Sequence, residues 1–299
     1  MVTQSDKEFL DRFFQDAQGM DAFDISSVEQ YRKVLHDLLE ERKNGGPMPE
    51  VGQYLEDVKV NENFSADIAI PEKSTDGPLP VILFCHGHAG IAGSPHSYRR
   101  FTRDLAAGGY ICVTPNFRKA PEHRFPAGLD DLVACAHWIK DNAEQYGGDG
   151  SQIVILGDSI GANMALVTLL RVLEEKQGPK VSAFVGLEGF YERSPEEGWM
   201  LSEYLPADCN LEELVNDPWV SPSKGIVEGL DLPPILMIIG SADFVLHSTL
   251  QLAGKFCELH VPFEMHVIEG MIHDFTKFPE LDGRDEAHRL MFQFLKANT

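Results

Sequence analysis

The chain has 299 residues, 43% of them hydrophobic and 24% charged, which is ample material for one large core and not the composition of a disordered chain. With 25 Lys and Arg against 47 Asp and Glu, the formal net charge is −22; nucleic acid and anionic membrane surfaces would be repelled, so no nucleic-acid partner and no stable membrane insertion are expected. Five scattered cysteines (Cys85, Cys112, Cys135, Cys209 and Cys257) lack C-x-x-C spacing and read as thiols of a reducing compartment; with no leader-like start and no span-length apolar run, a cytoplasmic location is expected.

Residues 5 to 45 read as helical. Phe9, Leu10, Phe13 and Phe14 recur at helical spacing, and a second run carries Val28, Tyr31, Val34, Leu35, Leu38 and Leu39. Ser27 is the candidate cap of that second helix, with Gln30 three residues on, and Asn44-Gly45-Gly46-Pro47 ends it. We therefore expect a helical cap segment, 1–50, laid on a larger unit, 51–299.

In that unit, β-like and helical runs alternate. The β-like runs are Tyr54–Val60, Ser65–Ile70, Val81–Cys85, Tyr110–Thr114, Ile153–Leu156, Val181–Leu187, Ile235–Ile239 and Phe263–Ile268. The helical runs are Tyr98–Ala107, Ala127–Asn142, Gly161–Glu175, Ser248–Leu259 and Arg284–Ala297. The later strands are continuously apolar and β-branched, as parallel strands buried on both faces are. The first two alternate and suit an antiparallel edge hairpin. The pattern predicts a doubly wound α/β fold with a mostly parallel, eight-stranded sheet. Between about 189 and 230 the alternation gives way to Glu-, Pro- and Trp-rich sequence, an excursion that would contribute to the cap.

The sharpest local signal is Gly157-Asp158-Ser159-Ile160-Gly161, set between a strand-like run and a helix-like one. Small residues flanking the serine let strand and helix approach closely and leave the hydroxyl at the tip of a strained turn. A serine nucleophile needs a base, and the base needs an orienting acid. Two later strand-like runs are followed, after short turns, by Asp243 and His273, the expected acid and base, where open α/β sheets collect their sites. His247 and His266 are weaker candidates for the base, and Asp274 reads as a turn residue rather than the acid. The third strand is followed by His86-Gly87-His88-Ala89-Gly90, whose His88 and Ala89 N–H groups, with that of Ile160, are candidates for an oxyanion hole. His86 and His88 have no third ligand at suitable spacing, so no metal is expected, and the chemistry needs no cofactor.

These stretches, with Pro115-Asn-Phe-Arg-Lys-Ala-Pro-Glu-His-Arg-Phe-Pro-Ala127, Gly157-Asp-Ser-Ile-Gly-Ala-Asn163 and Gly270-x-x-His273-x-Phe275, resemble the hormone-sensitive-lipase-like carboxylesterase branch of the α/β-hydrolase family. The resemblance covers residues 80–275 and implies an α/β-hydrolase fold with a helical cap. By it, Ser159 is the nucleophile, His273 the general base and then acid, and Asp243 its orienting carboxylate, while Glu122 and His123 tie a loop. It also implies a possible homodimer. The chain departs from that pattern where His88 and Ala89 stand for glycines, Ala162 for a further glycine and His247 for a second acid. Phe9, Phe13, Phe14, Met20 and Phe23 are candidates for lining a substrate pocket or for packing on the core. Trp199, Met200, Tyr204 and Trp219 carry the same two readings.

The expected activity is hydrolysis of small to medium acyl esters through an acyl-enzyme. The same triad would serve lactones, amides or carbamates. A non-catalytic receptor on this fold is the alternative from another class; the presence of His273 argues against it.

Overall fold

A computed structural model describes residues 2–19, 25–72 and 77–299. Met20 and Phe23 lie outside the described residues. The N-terminal segment is helical: α1 (Gln4–Gly19), α2 (Val28–Val34), a π-helical stretch (Leu35–Glu40) and α3 (Glu41–Lys43). Ser27 caps α2, its hydroxyl accepting the Gln30 N–H at 3.2 Å. After it run β1 (Gln53–Lys59), β2 (Ser65–Ile70), β3 (Leu79–Cys85), α4 (Arg99–Ala107), β4 (Ile111–Pro115), α5 (Ala127–Asn142), β5 (Gly148–Asp158), α6 (Ile160–Leu173) and β6 (Val181–Leu187). Two short helices, α7 (Trp199–Tyr204) and α8 (Leu211–Leu214), occupy the strandless excursion, and β7 (Ile235–Gly240), α9 (Leu246–Glu258), β8 (Glu264–Ile268) and α10 (Asp282–Asn298) complete the chain.

The eight strands form one sheet in the order β1-β2-β4-β3-β5-β6-β7-β8. The β1–β2 and β2–β4 pairs are antiparallel and every later pair is parallel, so the alternating first strands do form the edge hairpin. Successive residues of the central strands feed opposite cores, as the two-residue strand period requires. Val81, Leu83, Ile153 and Ile155 join Leu132 and Ile139 of α5, Leu166 of α6 and Phe256 of α9. Ile82, Phe84, Val154 and Leu156 join Phe101 of α4, Met291 and Phe294 of α10 and Phe9 of α1. A third cluster, with Leu35, Ile91, Leu201, Tyr204 and Val220, joins the N-terminal helices, the loop after β3 and the excursion.

β5 begins five residues before its apolar run, because the polar stretch from Gly148 still pairs, Gly148 lying opposite Leu79 of β3. No described helix is long and apolar enough to cross a membrane.

Candidate active site

β5 delivers the chain to Asp158, and α6 starts at Ile160, so the whole turn is made by Ser159, at φ 54° and ψ −129°. A Cβ on Gly157 would lie 2.3 Å from the Gly161 carbonyl oxygen, and one on Gly161 would lie 2.1 Å from the Cys85 carbonyl oxygen. Glycine at both positions is thus a steric requirement of the close strand–helix approach. The serine's strained backbone is held on both sides: its N–H donates to the Leu187 carbonyl at 2.9 Å and its carbonyl accepts from the Ala162 N–H at 3.0 Å.

The loops after β7 and β8 are joined to each other. The Ser241 N–H donates to the Ile268 carbonyl at 2.9 Å, and the Ala242 N–H to the Met271 carbonyl at 3.0 Å. That pairing sets Asp243 beside His273. Both Asp243 carboxylate oxygens lie 2.9 Å from His273 Nδ1, and His273 Nε2 lies 2.9 Å from Ser159 Oγ. An ionised carboxylate only accepts, so Nδ1 carries the proton and Nε2 is left to accept from the serine hydroxyl. Burial pushes the His273 pKa down, but the Asp243 carboxylate, with Asp274 and Glu188 behind it, outweighs this and raises it to about 9.

A protonated ring cannot take the serine's proton. On ester substrates kcat/KM should therefore rise with pH through an inflection near 9. A pH–rate profile checks this, and an inflection at or below the ordinary imidazole value would contradict it.

The loop after β3 faces the serine turn. Its backbone runs through positive φ at three consecutive residues, His88 (73°), Ala89 (57°) and Gly90 (71°). The Gly87 N–H is taken by the Tyr98 hydroxyl at 3.2 Å. Among the described residues, no protein group accepts from the N–H of His88, Ala89 or Ile160. Three unspent donors of this kind, one at the N-terminus of α6, are what a developing oxyanion requires.

Charged groups beneath the site form a buried network that the sequence reading did not anticipate. The Lys277 ammonium is 1% exposed and contacts Glu188, Asp158 (3.1 Å) and Asp274 (3.7 Å). Lys43 lies 3.0 Å from Asp274. The lysines hold the Asp274 carboxyl well below the usual carboxylate range against the opposing effect of burial. Asp274 is thus more than the turn residue expected, and it faces away from the role of triad acid. Carboxylate oxygens of Asp158, Glu188 and Asp274 lie within 4.8 Å of one another, the one such grouping among the described residues, and the Lys277 ammonium contacts all three.

The other sequence candidates divide. Tyr204 is buried against the loop after β3, where a Cβ on Gly90 would come within 2.7 Å of its ring. The Trp199 indole N–H donates to the Ile25 carbonyl at 3.0 Å. Phe13 packs on Phe9 and Phe278 at 6.2 and 5.5 Å between ring centres, as a core residue does, and Phe14 is 44% exposed. Glu122 reaches further than its own loop, its carboxylate accepting from both terminal nitrogens of Arg32 in α2 at 2.7 and 2.8 Å. Sequence reasoning passed over Phe244, which is 73% exposed with its ring centre 4.6 Å from that of His273. An aromatic directly after the candidate acid was the available signal.

Comparison with known proteins concerns the fold and the family. A protein of Acanthamoeba polyphaga mimivirus named as an alpha/beta hydrolase is 27% identical over 277 residues, covering 84% of this chain and 78% of that one. Esterase LipC of Mycobacterium tuberculosis is 30% identical over 186 residues, 56% of this chain and 45% of that one. A solved structure, the hyperthermophilic esterase of Pyrobaculum calidifontis, superposes with a TM-score of 0.79 at 21% identity, covering 94% of this chain and 97% of that one. The sequence profile of a family described as alpha/beta hydrolase fold matches residues 82–277, and the chain belongs to that family, in its hormone-sensitive-lipase-like carboxylesterase branch.

Proposed function

We propose that the protein is a serine hydrolase of carboxylic esters with small to medium acyl groups, working through an acyl-enzyme. The observation that carries this reading is His273 bridging Ser159 Oγ and the Asp243 carboxylate, with every contact at 2.9 Å. Esterase relatives support the same substrate bond.

In this mechanism Ser159 Oγ attacks the ester carbonyl as His273 Nε2 takes its proton. The oxyanion receives hydrogen bonds from the N–H groups of His88, Ala89 and Ile160. His273 then returns the proton to the departing alcohol. Water, deprotonated by the same ring, attacks the acyl-enzyme and releases the acid. Asp243 stabilises the imidazolium formed in each half-reaction. No step calls for a metal or an organic cofactor.

The test is Ser159→Ala assayed on p-nitrophenyl butyrate. A loss in kcat of at least about 10⁴-fold is expected, since removal of the nucleophile abolishes the covalent route. Turnover within tenfold of the unmodified protein would sink the assignment.

A further inference from the structure

The N-terminal helices end in a lysine buried to 1% exposure, an unusual position for the last residue of a surface segment. The Lys43 ammonium lies 3.0 Å from Asp274 Oδ2, 3.1 Å from His88 Nε2 and 4.8 Å from the centre of the Tyr98 ring. It therefore touches the residue directly after His273 and the residue that carries one oxyanion donor.

Those contacts fix the state of His88. An ammonium only donates, so Nε2 of His88 accepts and the ring proton resides on Nδ1. Nδ1 faces the Tyr31 hydroxyl of α2 at 3.4 Å. Both ring nitrogens are thus engaged by the N-terminal segment. The ring is also pressed against Gly93, where a Cβ would fall 2.8 Å from His88 Cδ2.

The backbone gives this grip a purpose. His88 and Ala89 adopt φ of 73° and 57°, a region that favours glycine and that side chains resist. Without an external hold, two non-glycine residues would relax toward negative φ and turn their N–H groups away. We propose that Lys43 is a positioning residue which, through His88, holds the loop after β3 in donor geometry, so that the docked N-terminal segment completes the oxyanion hole. This rests on the reading of the site as a serine ester hydrolase.

Lys43 is not the segment's only anchor. Arg32 binds Glu122 at 2.7 and 2.8 Å, the Ile91 carbonyl at 2.9 Å and the Ala120 carbonyl at 3.1 Å. Asp274 also keeps Lys277 at 3.7 Å. Removing the Lys43 amine therefore leaves the segment attached and the carboxylate paired.

The experiment is a double-mutant cycle on p-nitrophenyl butyrate. In the unmodified protein, K43M should lower kcat about 10- to 100-fold, with KM changed less than about threefold, as partial loss of oxyanion donors predicts. In the H88G/A89G background, whatever its own rate, glycine takes the positive φ unaided, and K43M should lower kcat less than about threefold. Y31F, which removes one hydroxyl and no charge, should show the same contrast on a smaller scale; it decides the matter if K43M does not fold. An equal loss in both backgrounds would make Lys43 a plain structural anchor and overturn the inference, as would an unchanged kcat in the unmodified protein. Ser159→Ala run in parallel separates the two claims. Ester turnover that does not depend on Ser159 overturns the functional reading and this inference with it, whereas Ser159-dependent turnover with equal losses overturns this inference alone.

Discussion

Replacing Lys277 with methionine is expected to lower the free energy of unfolding by about 3–5 kcal/mol, measured by urea denaturation at pH 7. The lysine is 1% exposed and meets three carboxylates, of which Asp158 and Glu188 have fully buried side chains. Burial drives its pKa down, but the three carboxylates reverse this and hold it above the ordinary lysine value. Glu188 is fixed independently, since it accepts the Thr276 N–H at 3.0 Å and the Thr276 hydroxyl at 3.3 Å. Asp158 accepts the Tyr98 hydroxyl at 3.0 Å. These bonds keep the carboxylates in place when the ammonium is gone, so like charges are left together in a medium of low dielectric. Methionine fills the lysine's volume, which makes charge rather than a cavity the cause of the loss. A change under about 1 kcal/mol would mean that the carboxylates shed their charge in the folded state at little cost. K277M/E188Q should recover part of the loss, because one of the stranded charges is then absent.

The network explains where the sequence was legible and where it was not. Each strand was visible because its apolar run is continuous or alternating, and the two cores collect side chains from alternate positions of the same runs. Ser159, Asp243 and His273 could be picked out because each lies in the short turn that follows such a run, and the sheet brings strand ends together. Lys43 and Lys277 had no such marker. A lysine at the end of a helical segment or four residues after a loop histidine reads as solvated. Only the fold brings Lys43 to His88, 45 residues away, and Lys277 to Glu188, 89 residues away. The second N-terminal helix was read as continuous, yet its middle from Leu35 to Glu40 is π-helical. Apolar residues at spacings of three and four do not separate those two windings over so short a run. The unusual loop residues His88 and Ala89 were visible as departures from glycine, but their positive φ and the lysine behind them were not.

Asp243→Asn is expected to reduce kcat on p-nitrophenyl butyrate by about 10⁴-fold while leaving the fold intact. The carboxylate has two tasks, and the amide can perform only one. Its Oδ1 accepts the Val245 N–H at 2.9 Å, while both oxygens lie 2.9 Å from His273 Nδ1. An asparagine oxygen would keep the Val245 bond, which turns the amide NH2 toward His273. Facing a donor, Nδ1 must become the acceptor, and the ring proton moves to Nε2. Nε2 then cannot take the Ser159 proton. The substitution also removes the charge that does most to raise the His273 pKa, so any residual activity should inflect at lower pH than in the unmodified protein. Parallel labelling with a phosphonate ester should slow in step with kcat, because attack by Ser159 on phosphorus needs the same base. A variant that kept more than a tenth of the rate would move the orienting role away from Asp243. Asp274 could not inherit it: its carboxylate is drawn to Lys43 at 3.0 Å and Lys277 at 3.7 Å, and making it serve Nδ1 would leave both buried ammonium groups without it.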